Sequence, residues 1–491
     1  MSTLILRTIQ TPDNTPVSFP HGIMIGTGAG DSSLVNNIGI PGYQGFGVAI
    51  APSVPDGISK LSGTTDNTSD NHGNYIVDID GSIESYISAF YYKWGTGTNG
   101  LVVNGIDIQP FGAFDSVAAA NAYTGTTGNG TINQPALNPH NANGVANTTP
   151  TGYALHRAFY NKNSVRPGFF ADKYIWSKHP TQAIASSLKN GNVISSAPRA
   201  GVANSDFASV GAANIYGGAI DAAKTRNTAR LSGWHAASLF ERNALAMLAY
   251  AHARAAEVVG ATYCGFYKAG ANFPKGNNAN SIALTDVNDN TIAYLTDGAT
   301  GINYSAKTGS ANFFNRTTHN GQNSGIADLN GNFWEITPGL TSDGTNLYLL
   351  SKAFDIATLS SGTVSATDAW EYLAADKYIN LLTTYEALWA TGANRLVYYG
   401  ANGLQVFSAA TSGTAWEAAC AGVPLATAMA SGGANTQFGA DGLWDYKPNQ
   451  MCPVAGGHWD HAATAGAFGL TLADTRSNSS TRVAGRSALY L

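Results

Sequence analysis

The stretch GWHAASLFERNALAMLAYAHARAAEVVG, residues 233–260, is the clearest helical signal in this 491-residue chain. It has no proline, is rich in the strong helix formers Ala, Leu and Met, and meets a stop at Gly260. Leu239, Arg242, Ala246, Ala249 and Ala253 follow the spacing of one helix face, and Leu245, Leu248 and His252 that of its neighbour. A helix so apolar and so rich in small residues must be packed tightly, with a sheet as the expected neighbour. Shorter helices are expected over 216–230 and over 366–392, where Gly392 again supplies the stop.

The rest reads as short strands separated by Gly- and Asn-rich loops. Residues 1–70 are apolar pieces punctuated by Gly and Pro, which form a β-rich N-terminal region. The IMIGTGAG segment has the look of a phosphate loop, but no helical pattern follows Gly30, so a turn is expected. NYIVDID, SYISAFYYKW and LVVNGIDIQPF, between 74 and 115, are three further strand candidates, and 116–150 has the composition of a long exposed loop. No repeat at 20–50 residues is present. The fold class is α+β with few helices and much irregular chain. The expected division is 1–70, a candidate for virion attachment or oligomer contacts, and 71–491, with an insertion at about 341–445.

Only 12% of residues are charged, about half the usual quarter, and 56 are glycine. A surface solvated by amides and hydroxyls is a style of secreted adhesins and virion proteins. The net charge of −5, without a basic stripe, argues against nucleic acid as a partner. Cys264, Cys420 and Cys452 are odd in number and far apart, which suggests no disulfide framework and fits folding in a reducing compartment. The N-terminus lacks the pattern of a signal peptide, and no run of 18 apolar residues suggests a membrane span. A virion protein folded in the host cytoplasm and released by lysis reconciles an adhesin-like composition with no export signal.

Chemistry is sought first in GGHWDHAATAGAFGL, 456–470, where His458, Asp460 and His461 lie within four positions. A metal site there would need a further ligand from elsewhere, and no H-E-x-x-H or facial triad is near. In DVNDNT, Asp286, Asn288 and Asn290 alternate and Asp297 falls at the twelfth position, but Thr291 stands where an EF-hand loop needs glycine. VDIDGS, with Asp78 and Asp80, is incomplete in the same way, and both read better as Asx-turns. Structural calcium stays as the one cofactor option; none is otherwise expected. No G-x-S-x-G elbow appears, and His235 and His252 are 17 residues apart on the long helix, so no catalytic constellation stands out.

Four stretches, in order, resemble the formylglycine-generating-enzyme type of C-type-lectin fold: GFFADKYIWS (168–177), the helix at 233–256, GIADLNGNFWEI (325–336) and the closing GGHWDHAATAGAFGLTLADTRSNSSTRVAGRSALYL (456–491). They span most of 168–491. Within that fold the chain is most similar to the variable proteins of phages and bacteria that are targets of diversity-generating retroelements. The resemblance implies a scaffold that includes Trp334, Glu335, Gly457, Trp459, Gly466, Leu470, Arg476 and Arg486. It also implies a variable, ligand-binding surface at His458, Asp460, His461, Thr464, Thr471, Ala473, Asp474, Ser480, Thr481 and Arg482, each reachable from an AAY codon by adenine changes. Two departures stand out: Gly485 where the family has Phe, and Ala484 where it has Gly.

The implied function is a phage receptor-binding protein, a fibre tip or adhesin, that engages a host cell-surface receptor, protein or glycan, and other virion proteins. A homotrimer follows from fibre analogy. Two alternatives are a structural baseplate or capsid-decoration protein, and an oxidase of the same fold. The enzymatic branch binds copper through a cysteine pair near the C-terminus, whereas this closing segment has Cys452 alone ahead of Gly456, so no enzymatic activity is expected. His458, Asp460 and His461 are expected to be exposed and metal-free, with Trp459 buried between them.

Overall fold

Short strands of β-branched and aromatic residues join into two six-stranded sheets, so that most of the order in the molecule comes from pairings distant in sequence. The structure, a computed structural model, describes residues 36–111, 152–259, 272–301, 304–360, 378–380, 395–428, 430 and 437–491. The first sheet runs in the order Ile58–Lys60, Asn74–Val77, Ile83–Ser88, Gly168–Asp172, Ser487–Tyr490 and His235–Ala236, every neighbour antiparallel. The last strand of the chain is thus seated between Gly168–Asp172 and His235–Ala236. Ile58–Lys60, from the expected N-terminal region, pairs with Asn74–Val77 beyond residue 70. Residues 1–35 and the expected loop at 116–150 lie outside the described residues.

SYISAFYYKW, expected as one strand, is divided at Ala89. Ile83–Ser88 stays in the first sheet, whereas Phe90–Trp94 joins Ile106–Pro110 and Ala154–Leu155 in a separate three-stranded sheet. Ala89 bonds outside both sheets, donating to the Pro167 carbonyl and accepting from Phe111. The second six-stranded sheet is mixed: Arg395–Tyr398, Gly442–Asp445, Leu470–Thr471, Val454–Ala455, Trp334–Ile336 and Val483–Ala484. Two of its strands, Leu470–Thr471 and Val483–Ala484, come from the closing segment. Of the expected helix at 366–392, residues Tyr378–Asn380 form a strand beside Leu347–Leu350, and the remainder lies outside the described residues.

The long helix is Leu239–Val259, six residues shorter at its start than expected. A capping box sets the start. The Ser238 backbone N–H donates to Glu241 Oε2 at 2.7 Å, and the Glu241 N–H donates back to Ser238 Oγ at 3.2 Å. Before it, His235–Ala236 is held as an edge strand. Residues 239–255 are all buried, polar ones included, so the helix is enclosed on every side instead of lying on one sheet. Its polar side chains satisfy loop carbonyls: Arg242 donates to Ala467 and Leu329, and Asn243 to Ala419 and Cys420. Ser238→Ala removes one half of the cap and is expected to lower stability by about 1–2 kcal/mol in a urea titration.

Helix Gly218–Lys224 ends earlier than the expected 230. Beyond it the chain turns so that Arg226, fully buried, reaches Asp80, Glu84 and Asp172. Three carboxyls on one guanidinium leave an excess of negative charge. Burial and the neighbouring Asp172 accordingly hold the Glu84 carboxyl well above the usual carboxylate range.

Amides and hydroxyls take over where regular structure stops. Asn332, at φ 60°, accepts the Ala306 N–H and donates to the Ala306 carbonyl, so its side chain acts as one more strand. Asn330 and Asn272 bond the Pro274 and Ala465 carbonyls. Segment 36–50 is fastened similarly. Gly42 N–H donates to His252 Nδ1 at 2.7 Å, His319 Nε2 bonds the Gly47 carbonyl at 2.8 Å, and Asn320 bonds the Phe46 carbonyl. The low charged fraction therefore reflects loops held by neutral donors and acceptors. The candidate calcium carboxylates are used in the same way. Asp286 accepts from the Gly276 and Asn288 N–H groups, closing an Asx-turn, while Asp297 is bonded by Arg199, Ser305 and Ala299. Asp80 closes an Asx-turn onto Ser82.

Candidate functional site

The closing segment starts with two glycines that have no substitute in this backbone. Gly456 and Gly457 have φ of 95° and 81°, and a Cβ on Gly457 would stand 2.5 Å from that of Ala465. They lead into a turn instead of a strand, closed by the His461 N–H on the His458 carbonyl at 3.1 Å. Trp459 is driven inward. It is 1% exposed, edge-on to Phe333 at 5.1 Å, and packed with Ile175, Val193 and Ala484. Gly466 is forced by Asp441, whose carboxylate accepts the Phe468 N–H and lies where a Cβ would be. Burial pushes that carboxyl up to about 8.

Beneath the turn lies an ionic lattice that draws on distant stretches. Arg486 grips Glu335 through Nε and Nη2, and its remaining donors take the Asp172 carbonyl at 2.7 Å and the Ala327 carbonyl at 2.9 Å. Arg242 approaches the same Glu335 at 3.5 Å. All three side chains are buried. Leu470 pairs with Leu443 and Ala455, and the carbonyl of the buried Arg476 accepts from Gly217. The departure at Gly485 has a direct cause: a Cβ there would be 2.6 Å from the indole of the fully buried Trp176. Trp176 fills the space from another strand connection, and Gly485→Ala is expected to cost about 1–3 kcal/mol by overpacking, read from thermal and urea midpoints.

Over this base, the ten expected surface positions divide. Asp460, His461, Thr464, Ala473, Asp474, Ser480 and Thr481 are half-buried, and Arg482 is exposed. His458 and Thr471 are buried, at 3% and 6% exposure, which corrects the expectation that His458 is exposed. The turn is the reason: it folds the His458 ring back under His461, with centroids 4.0 Å apart, and its Nδ1 accepts the Asp460 N–H. Thr471 is buried because it pairs with both Trp444 and Val454 inside the sheet.

Five positions form one patch. Arg482 bridges Asp460 at 3.2 Å and approaches His458 Nε2 at 3.4 Å. His461 lies 4.8 Å from Trp334 and 5.0 Å from Trp444, two indoles set at 83° to each other. Thr464 donates its hydroxyl to the His461 carbonyl. Elsewhere, Asp474 is bonded by Asn478, and Ser480 is tied to Ser196. Burial pushes His461 down to about 4 and His458 well below the usual imidazole range, so both rings are neutral at pH 7. The patch thus offers the neutral, half-buried His461 ring, the half-buried Trp444 indole and one ion pair, which suits stacking and hydrogen bonding. Among the described residues, no group of three His, Cys, Asp or Glu side chains is placed to hold a metal ion. No described helix is long and apolar enough to cross a membrane. Cys420 and Cys452 are both buried, with the Cys420 thiol pushed up to about 12 by burial; Cys264 lies outside the described residues.

Sequence reasoning missed Trp444 and Ser281. Ser281 donates its N–H to the Trp459 carbonyl at 3.2 Å and its hydroxyl to Asp460 at 3.1 Å, joining the 276–300 region to the patch. Nothing in the local pattern of either stretch signals that meeting.

No protein-family description matches the chain, and no curated protein does. Among solved structures it is similar to the Major Tropism Determinant U1 variant, at 11% identity over 85% of this chain and 79% of that one, with a TM-score of 0.27. The M1 variant gives 11% identity, the same share of this chain, 78% of that one and a TM-score of 0.27.

Proposed function

We propose that this chain is a phage receptor-binding protein whose closing segment displays a ligand-binding surface on a C-type-lectin scaffold of the formylglycine-generating-enzyme type. One observation carries the reading: Asp460, His461 and Thr464, on or just after the turn, and Arg482, which reaches Asp460 from the end of the chain, sit partly open to solvent among fixed neighbours that are sterically or ionically determined. Trp459 is buried, Gly457 and Gly466 admit no side chain, and Glu335 is held by Arg486. Side chains of the first kind can change without disturbing the second. The display surface, diversified by a retroelement, acts on a host cell-surface receptor by binding alone, without cofactor or catalytic step. The chain works as a virion component, folded in the host cytoplasm, beside other virion proteins and as a homotrimer whose multivalency multiplies a weak single site.

The test is adsorption. Antibodies raised against 456–491 are expected to block attachment of virions that carry the chain. Undiminished attachment at saturating antibody overturns the reading in favour of a structural virion protein. Arg482→Ala should alter attachment while leaving the urea midpoint unchanged, because a solvent-exposed ion pair contributes about 0–1 kcal/mol.

A further inference from the structure

A cleft of about 120 Å³ opens where three stretches distant in sequence meet: Gln44, the turn Thr68–Ser69–Asp70, and the stretch 315–323. Every residue that lines it is polar or glycine. Elsewhere in this chain side-chain amides are used to hold loop carbonyls, as at Asn272, Asn320, Asn330 and Asn332. Those of Gln44, Asn315 and Asn323 are not. Among the described residues their amides take no hydrogen-bond partner, and neither does the Asp70 carboxylate. Their backbone is nevertheless fixed. Gln322 Oε1 accepts the Gly45 N–H at 2.8 Å and its Nε2 donates to the Tyr43 carbonyl, which holds the loop around Gln44. Lys173 Nζ donates to the Asn323 carbonyl at 2.6 Å. The Ser69 N–H donates to the Asp66 carbonyl at 3.0 Å, and the Ser69 carbonyl accepts the His72 N–H at 3.1 Å. Three amides and a carboxylate that the fold leaves unused thus line one preformed hollow, which lowers the cost of ordering a bound molecule.

We propose that this cleft is a binding site for a neutral sugar, which presents the hydroxyl-bearing edge of one pyranose ring to Asp70, Gln44, Asn315 and Asn323. Each sugar hydroxyl donates and accepts at once. Amides answer both roles, and a carboxylate accepts from two neighbouring hydroxyls. A sugar also replaces the hydrogen bonds of the waters it displaces, which an apolar group cannot do. The volume is that of about four waters, enough for one ring edge and too small for a whole oligosaccharide. The charges nearby favour a neutral ligand. Asp70 in the wall repels an anion, whereas Lys173, bonded to the Asn323 carbonyl, and the neighbouring Lys189 repel a cation. No apolar side chain lines the cleft to anchor a peptide. Its residues lie outside the closing segment, so the site is the same whatever stands at 458–482, and it does not depend on the receptor-binding reading.

The test uses the full chain on an array of neutral and sialylated oligosaccharides, with positive sugars measured again in solution by saturation-transfer NMR. At least one neutral sugar is expected to bind saturably. Asp70→Ala should weaken that binding at least about tenfold and Asn315→Ala about threefold, the losses of a charged and of a neutral hydrogen bond. Urea midpoints of both variants should stay at the wild-type value, because neither side chain makes a hydrogen bond within the fold. Arg482→Ala, in the closing-segment patch, should bind the same sugar as wild type does. No saturable binding, binding confined to sialylated sugars, or binding that both cleft variants retain overturns the proposal. Sugar binding lost in Asp70→Ala and Asn315→Ala, with adsorption unblocked by antibodies against 456–491, would overturn the receptor reading and uphold this one.

Discussion

Arg486→Met is expected to leave the chain insoluble or unfolded at ordinary temperature. The substitution keeps most of the volume but leaves the buried Glu335 carboxylate with Arg242 alone, at 3.5 Å, and removes donors from the Asp172 and Ala327 carbonyls. Breaking a buried pair on one side costs about 3–5 kcal/mol, and each unsatisfied buried carbonyl adds about 1–3. That sum is comparable with the whole stability of a typical domain, about 5–15 kcal/mol. Changing Glu335→Leu in the same chain removes the under-paired carboxylate, so the double variant should recover part of the soluble yield. A single variant as stable as wild type in urea would show that the lattice beneath the turn is not what holds it.

His319→Gln is expected to change how stability depends on acid. Its Nδ1 accepts the Ile326 N–H at 3.0 Å, which leaves the Nε2 proton for the Gly47 carbonyl; protonation of Nδ1 would break the first bond, so the pair requires the neutral ring. Burial holds this imidazole down at about 4 against an ordinary 6.5. Above pH 6.5 neither the folded nor the unfolded ring is charged, and the contribution is fully present. Between 6.5 and 4 the unfolded chain binds a proton that the folded one refuses, so stability falls as pH falls. Below 4 the loss is complete, at about 3 kcal/mol. A glutamine amide can donate and accept in the same place without titrating. Urea midpoints of wild type and variant, compared from pH 8 to pH 4, should therefore converge on, or cross toward, the variant as acid is added; a constant difference contradicts the neutral-ring assignment. Groups such as Asp441, which shift the other way, are common to both proteins and cancel in the comparison.

The long helix was legible because local propensity and tertiary burial agree there, and strands with β-branched and aromatic runs were legible for the same reason. Its start was misread because the S-x-x-E capping box at Ser238 and Glu241 counts for more than the helix formers ahead of it. The break at Ala89 was not legible, since only the first sheet and the three-stranded sheet, competing for its neighbours, create it. Trp459 is buried, as its scaffold place in the resemblance implied, whereas His458, expected on the variable surface, is not exposed because the turn stacks its ring under His461. The contacts that define the patch join residues as far apart as 281 and 460, and no local pattern carries that information.

The most direct measurement is simultaneous randomisation of 460, 461, 464 and 482 in a displayed library of the full chain, sorted first for resistance to protease and then for attachment to host cells. If these side chains are displayed on an independent scaffold, most variants should resist protease like wild type, while attachment is lost in most and redirected in a few. Parallel libraries at His458 and Thr471, which are buried, should tolerate far fewer residues. Protease sensitivity as general at the four open positions as at Gly457 or Trp459 would contradict the account.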